Sequence, residues 1–428
     1  MWLESIISLK GNGGIKMNLP EKTSLQNIYG ESYISYKRFQ HLASCFQKIY
    51  HHENAEYFTS PGRTEIIGNH TDHNGGKVLA ASIDMDTIGA AYPNNSNIIH
   101  ITSEGYKNKI VIDLLDLKSL SMNGNTEGLL AGMCEGIKKY GFCVSGFDAY
   151  ISTNVIPAAG VSSSASFEML ICSIVNYFFN NNCMTYTDYA KIGKYAENEY
   201  WHKDSGMMDQ MACAVGGTVL FDFSSNEPCY HKMNFSFNDF GYQLVIVNTG
   251  KGHANLSEEY SEIPIEMKKV ANLLGVNLLH KSTLESLLLH LKDIENDRAI
   301  LRAIHFFEEN ERVQRCVELI KKEDINGIIN LINQSGNSSW KLLQNCYSIQ
   351  NFQEQKITLA LTLTEIFLQK IKSGVCRVHG GGFAGVIMCI IPNKEKDNYI
   401  NYISKFVGKE NVYPMNIREI GAVHISSR

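Results

Sequence analysis

The 11 cysteines of this sequence include no CxxC pair and make an odd total. Neither a disulfide framework nor a cysteine-built zinc site is expected, and the thiols read as reduced. No apolar run reaches the roughly 18 residues that a membrane span needs. The first residues also lack the charged, apolar and small-residue regions of a signal peptide, so a cytoplasmic location is expected. No long Lys/Arg run offsets a formal charge of −5, which speaks against a nucleic-acid or anionic-membrane footprint. Internal repeats and low-complexity tracts are absent. So are a Walker GxxxxGK[ST] motif and a protein-kinase HRD–DFG set, which removes the two commonest phosphate-holding machines.

At 428 residues, 44% hydrophobic and 19% charged, the chain has the composition of a soluble globular protein too long for one core. Two domains are expected, residues 1–240 and 241–428, with a flexible GNGG joint inside 1–20 and a change of texture where the strand YQLVIVNT begins. The stretch NVIPAAGVSSSASFEML passes from a strand, Phe147 to Ser152, through small residues into a helix that is apolar nearly all round. Such a turn lets backbone N–H groups approach an anion, adds hydroxyl donors and opens on the positive end of a helix. Taken alone it reads equally well as a Ser-capped helix.

Tyr57 to Asp86 reads as a short strand reaching Ser60-Pro61-Gly62, a polar loop with Arg63, Asn69, His70, Asp72 and His73, and a second strand, Val78 to Ile83. The loop suits either a solvated hairpin or a hydroxyl-rich ligand, which needs several donors and acceptors on a rigid turn. A zinc site from His70, Asp72 and His73 lacks a further partner at this spacing. Further strands are expected within Ile88 to Ile112, about a PNNSN turn, and helices over Ser35 to His51 and Gly128 to Tyr140. Thr185 with Asp188 caps a helix that carries Glu197 near its end. Asp209, after Gly206 in a Met-rich segment, is either a helix-start carboxylate or a buried functional acid. Amphipathic helices fill Ser282 to Asn333, with Leu301, Ile304, Phe307 and Val313 on one face and the charged faces turned to solvent. A glycine-rich turn, Gly380 to Ala384, precedes the last long apolar strand.

Together these segments resemble the GHMP small-molecule kinases, and within them the galactokinase family, from about Tyr57 to the C-terminus. GRTEIIGNHTDHNGGKVL is similar to that family's sugar-binding signature, the serine loop to the second GHMP motif and RVHGGGFAGVIMCII to the third. The resemblance implies an α+β fold of two domains, an N-terminal one of the ribosomal protein S5 domain 2-like type and a ferredoxin-like C-terminal one. The site would lie in the cleft between them, and the last strand, VHISSR, is a candidate to return to the first domain. It further implies ATP-dependent phosphorylation of α-D-galactose at its anomeric hydroxyl with Mg²⁺. Small molecules would be the only substrates, with no nucleic-acid or membrane partner, and the protein a monomer or weak homodimer.

Carried onto this sequence, the resemblance makes Asp209 the catalytic base and Arg63 the cation beside the moving phosphoryl group. Glu197 and Ser164 become the magnesium ligands, and Asn69, His70, Asp72, Gly206, Asp209 and Tyr260 the sugar contacts. The nucleotide would be held by Ala158, Ala159, Gly160, Val161, Ser162, Ser163, Ser164 and Ala165 and by Gly380, Gly381 and Gly382. The chain departs from the family at Glu65, Asn69 and His73, where Asn, Glu and Tyr are usual, and at Ala158, His379 and Ala384, where Gly, Thr and Gly are usual. None removes a group the chemistry needs. Phosphoryl transfer asks for a cradle, a divalent ion, a cation and a proton acceptor, and the chain offers one candidate for each. A carboxylate beside an arginine stays ionised at neutral pH and can accept a proton. A GHMP kinase for another sugar, N-acetylgalactosamine or arabinose, and a non-catalytic sugar sensor stand as the alternatives.

Overall fold

The computed structural model describes residues 17–120, 125–157, 160–202, 205–225, 227–250, 257–383 and 385–427. Among these the strands form two sheets. The first holds β1 (Glu56–Ile67), β2 (Lys77–Pro93), β3 (Ile98–Ser103), β4 (Ile110–Asp113), β5 (Phe147–Thr153), β6 (Thr218–Asp222) and β7 (Cys229–Met233). The second holds β8 (Tyr242–Asn248), β9 (Val375–Val378), β10 (Val386–Pro392) and β11 (Val412–Met415), in the order β11-β8-β10-β9. The chain then re-enters the first sheet as β12 (Val423–Ile425), antiparallel to β1. That sheet runs β12-β1-β2-β5-β3-β4, with β6 on the other half of β2 and β7 outside it. The mixed α+β architecture expected from the sequence is present.

Two strand limits differ from the sequence reading. β1 does not stop at Ser60-Pro61-Gly62 but runs to Ile67, and its pairing with β2 slips between Pro61 and Arg63 and again between Glu65 and Ile67. A bulge tolerates a proline that has no N–H to give, and it re-aims the residue that follows. Arg63 is therefore a strand residue rather than a loop residue. β2 is one strand of 17 residues with no break before Ile88, paired with β1 on one side and with β6 and then β5 on the other.

Helix Ser163–Phe179 lies across the first sheet, with Met169, Leu170 and Ile174 packed in one core with Phe58, Ala149 and Ile151. Helices Thr126–Lys139 and Tyr186–Tyr200 close the same core, and Thr185 and Asp188 make a reciprocal capping box at the start of the latter. A second core crosses between the sheets. It joins Ile66, Leu79 and Ile83 to Leu244, Ile246, Val386 and Met388, with Val313 and Val317 from helix Asp297–Lys321. Each such side chain contributes on the order of 2 kcal/mol when fully buried, so loops carried by different sheets are held in fixed relation. Among the described residues no helix is long and apolar enough to cross a membrane.

Helix Asp297–Lys321 corrects another expectation. It buries Arg302, His305, Glu309 and Arg312 along with Phe306 and Val313, while Leu301, Ile304 and Phe307 are only partly covered. The charges go inside because each has a partner. Arg302 bonds Glu266 at 2.8 Å, Arg312 bonds Glu309 at 2.7 Å, and Glu309 accepts the Gly68 N–H at 2.9 Å.

Asp86 anchors the interior of the first sheet, on β2 opposite Pro61 of β1. Fully buried, it accepts hydrogen bonds from Arg38 (2.7 Å), Arg418 (3.0 Å), Tyr29 (2.7 Å) and Thr59 (2.8 Å). Burial pushes its carboxyl upward, but Arg38 and Arg418 more than reverse this and hold it below the ordinary carboxylate range. Asp86→Asn should cost about 3 kcal/mol or more, because it leaves two guanidinium groups without their counter-charge. The measurement is the urea midpoint at pH 7, and an unchanged midpoint would refute the anchor. The stability Asp86 contributes is present above its unfolded pKa, near 4, and is lost as pH falls below that.

Candidate active site

The bulge in β1 points Arg63 inward, where its side chain is 6% exposed. Its Nε and Nη2 donate to the two carboxylate oxygens of Asp209, each at 2.8 Å, and Nη1 donates to the Gly160 carbonyl. All three guanidinium nitrogens are thus used. Burial alone pulls the Arg63 guanidinium down, but the Asp209 carboxylate outweighs it and holds the group above its ordinary value. Asp209 stands in the first turn of helix Met208–Val215 and is 29% exposed, and it also accepts from the Ser162 hydroxyl at 2.5 Å. Of the two sequence readings of Asp209, the helix-start carboxylate is what the structure shows; the side chain is partnered but, at 29% exposed, not buried.

The serine loop lies directly on β1. The Arg63 N–H donates to the Val161 carbonyl at 3.1 Å, and a methyl added at Gly62 would stand 2.7 Å from that oxygen, so only glycine permits this approach. Gly160 and Ser162 adopt left-handed conformations, φ 64° and 58°, which turn the Gly160 carbonyl to Arg63 and bring the Ser162 hydroxyl to Asp209. Val161 and Ala165 are buried beneath the loop, and Ser163 opens the helix. Ala158, Ala159 and Ala384 lie outside the described residues.

Ser164 donates to Glu197 at 3.2 Å, and Glu197, 2% exposed, is also reached by the Gln210 amide at 3.4 Å. These are hard oxygen donors. Among the described residues no cluster of three His, Cys, Asp or Glu could hold a metal by itself. Magnesium commonly takes only one or two protein oxygens and completes its shell with phosphate and water, so a hydroxyl beside a carboxylate fits that ion.

A second cluster adjoins the first. The His70 ring lies 5.7 Å from that of His73 and 5.2 Å from that of Tyr260, and a His70 ring nitrogen lies 3.1 Å from the Gly381 carbonyl. The Tyr260 hydroxyl is 3.4 Å from His73. Tyr260 is pushed well above the usual phenol value, by burial first and then by Asp72, Asp209 and Glu197. A methyl on Gly206 would fall 1.8 Å from the Asp72 carboxylate, so Gly206 makes the room that Asp72 occupies. Asn69 is not on this surface. It is fully buried, with its amide nitrogen on the Gly380 carbonyl (2.8 Å) and Glu65 (3.1 Å) and its oxygen on Asn345 (2.9 Å). Gly380, Gly381 and Gly382 lean on this wall through Asn69, His70 and Asn345.

Several residues here escaped the sequence reading. Arg377 pairs with Glu65 at 2.8 Å inside the protein. His305 bonds the Asn69 carbonyl at 2.9 Å, and Glu309 holds Gly68. The spacing Arg302, His305, Glu309, Arg312 is itself a helical stripe, which could have signalled a polar face turned inward.

A serine loop at a helix start, a glycine turn packed near it and an Arg–Asp pair between them belong to a GHMP kinase, and the family model described as GHMP kinases N terminal domain matches residues 129–217. The galactokinase galactose-binding signature matches residues 44–93. The chain is 31% identical over 378 residues to the galactokinase of Clostridium perfringens, covering 85% of this chain and 92% of that protein. Identity to the galactokinase of Clostridium tetani is 28% over 378 residues, covering 86% and 92%. In fold it is similar to Lactococcus lactis galactokinase, solved in complex with galactose, at 24% identity and TM-score 0.78 over 90% of this chain and 99% of that one. Methanococcus jannaschii mevalonate kinase follows at 18% identity and TM-score 0.59, over 86% and 99%. The chain belongs to the galactokinase family.

Burial holds His70, His305 and His379 below the ordinary imidazole value. Unfolded, each takes a proton near pH 6.5; folded, it does not, so the unfolded state binds more protons as pH falls. Stability should therefore drop from pH 6.5 towards pH 5 by about 1.4 kcal/mol per pH unit for each fully suppressed histidine. Chemical denaturation across that window tests it, and a flat profile would contradict the neutral, buried state of these rings.

Proposed function

We propose that this sugar kinase transfers the γ-phosphoryl group of ATP to the anomeric hydroxyl of α-D-galactose, giving galactose 1-phosphate and ADP, and that it acts in the cytoplasm as a monomer or weak homodimer. The observation that carries the reading is the bidentate Arg63–Asp209 pair beside the serine loop. In this reading the sugar oxygen attacks the γ-phosphorus, the bond from phosphorus to the β–γ bridging oxygen breaks, and the hydroxyl proton passes to Asp209. Arg63 orients that carboxylate and offsets charge on the transferring group, which is most of what phosphoryl transfer asks of a protein. Ser164 and Glu197 would hold Mg²⁺, and such an ion would supply charge neutralisation for the nucleotide phosphates. Residues 160–165 and the turn at Gly380 to Gly382 would receive the nucleotide phosphates. His70, Asp72, Gly206 and Tyr260 would line the sugar pocket, and we place the division of the chain near residue 240, before β8 enters the second sheet.

One observation favours a second sugar. Asn69 has its amide committed to Glu65, Gly380 and Asn345 and offers no carboxylate to an outer hydroxyl. An assay of galactose, N-acetylgalactosamine and arabinose with ATP and Mg²⁺ decides between them, and negligible galactose turnover would overturn the first reading.

Asp209→Asn should lower kcat by at least about 100-fold, the lower end of the range for loss of a general base, while sugar binding measured by calorimetry stays. Unchanged turnover would remove Asp209 from the base role. Gly206→Ala should raise the sugar KM by roughly 10-fold or more while the ATP KM holds, since the methyl displaces Asp72 from a groove it fills, and misplacement by about 1 Å costs as much. An unaltered sugar KM would take Asp72 out of the pocket.

A further inference from the structure

Behind the Arg63–Asp209 pair lies a buried histidine that none of the roles above uses. His379 follows β9 and is 2% exposed. Its Nε2 lies 3.2 Å from the Glu65 backbone nitrogen and 3.0 Å from the Thr64 hydroxyl. A backbone N–H can only donate, so Nε2 carries the lone pair and the ring proton sits on Nδ1. Nδ1 is buried and has no partner among the described residues. A methyl added at Gly160 would meet Val386 at 2.5 Å and then Nδ1 at 3.4 Å, so the ring and Val386 together pack against that glycine. An N–H buried without an acceptor costs free energy that an apolar side chain of similar size would not. What the imidazole offers in return is the acceptor at Nε2.

We propose that His379 is a positioning residue for Arg63. As a neutral imidazole it fixes Thr64 and Glu65, the two residues after Arg63 on β1, and with the same ring it supports Gly160, whose carbonyl takes the third nitrogen of Arg63. One side chain of the second sheet thereby sets the aim of a cation carried by the first. The neighbouring charges agree with a neutral ring. Burial first, then Arg63 and Arg377, hold His379 well below the ordinary imidazole value, against the opposing pull of Asp209. The proposal rests on the phosphoryl-transfer reading for its kinetic consequence alone.

The test compares wild type with His379→Phe and His379→Gln, on whichever sugar of the panel is turned over best. Phenylalanine keeps a ring over Gly160 but removes the acceptor. It should lower kcat roughly 10- to 100-fold, the scale of a misplaced catalytic group, with KM for sugar and ATP little changed. Glutamine reaches the position of Nε2 with an amide oxygen and should recover most of that loss. Wild-type kcat in the phenylalanine variant, or an equal loss in both variants, would overturn the positioning role. Nitrogen-15 spectra of the histidine rings, with His379 assigned by its absence from the glutamine variant, should show a neutral ring protonated at Nδ1 at pH 7. A ring protonated at Nε2, or charged, would overturn the proposal by itself. If wild type turns over no sugar, the function reading falls and the spectrum still decides this one.

Discussion

The guanidinium of Arg63 is a full charge held almost entirely out of water, and the arrangement of the site follows from what that requires. Removing such a group from solvent costs several kcal/mol unless each donor is met. Here two nitrogens meet Asp209 and the third meets Gly160. The carboxylate comes from a helix, the carbonyl from a loop ahead of another helix, and the arginine from a bulged strand. None of the three can shift without leaving a buried donor unsatisfied. The serine loop is thus placed by the same contact that places Asp209.

A second polar layer lies behind the first. Glu65 and Arg377 pair with almost no exposure, Asn69 spans Glu65, Gly380 and Asn345, and Glu309 gathers Gly68, Arg312 and Ser335. Burying charge in this way is a poor source of stability compared with apolar packing. It does impose geometry, because each polar atom accepts only a few partner positions. The layer joins the end of β1 to helix Asp297–Lys321 and to the glycine turn, so the wall behind His70 and Asp72 is rigid where an apolar wall would allow sliding.

That layer also marks the limit of what the sequence disclosed. The two sheets, the buried helix after the serine loop, the Thr185 cap and the convergence of Arg63, Asp209, Ser164 and Glu197 were legible, because each rests on local patterning or a recognisable motif. Periodicity placed Leu301, Ile304 and Phe307 on the inner face of helix Asp297–Lys321, whereas Arg302, His305 and Glu309 occupy it. A hydrophobic pattern counts charge as outward, and nothing local reveals that Glu266 and Gly68 wait on the other side. Pro61-Gly62 misled for a related reason. The pair signals a chain break, but a bulge absorbs it, and that bulge turns Arg63 into the protein. The burial of Asn69 was beyond reach from sequence, since its partners lie up to 311 residues away.

On the proposed reaction, the placing of Asp209 says something about timing. The carboxylate takes two hydrogen bonds from Arg63 and stands in the first turn of a helix. Fixed there before transfer, it would not need to strip a sugar hydroxyl in advance. Phosphoryl transfer through a loose transition state asks little of the nucleophile until the bond to the leaving phosphate has largely opened. The hydroxyl becomes acidic only as its oxygen bonds to phosphorus, and the proton then has a receiver already in line. In that reading Arg63 would serve both ends of this sequence, holding the carboxylate still before transfer and offsetting the phosphoryl charge during it. A cation with that double duty must be aimed to within a fraction of an ångström, and the chain aims it from three sides, with the serine loop, the helix of Asp209 and the strand fixed by His379.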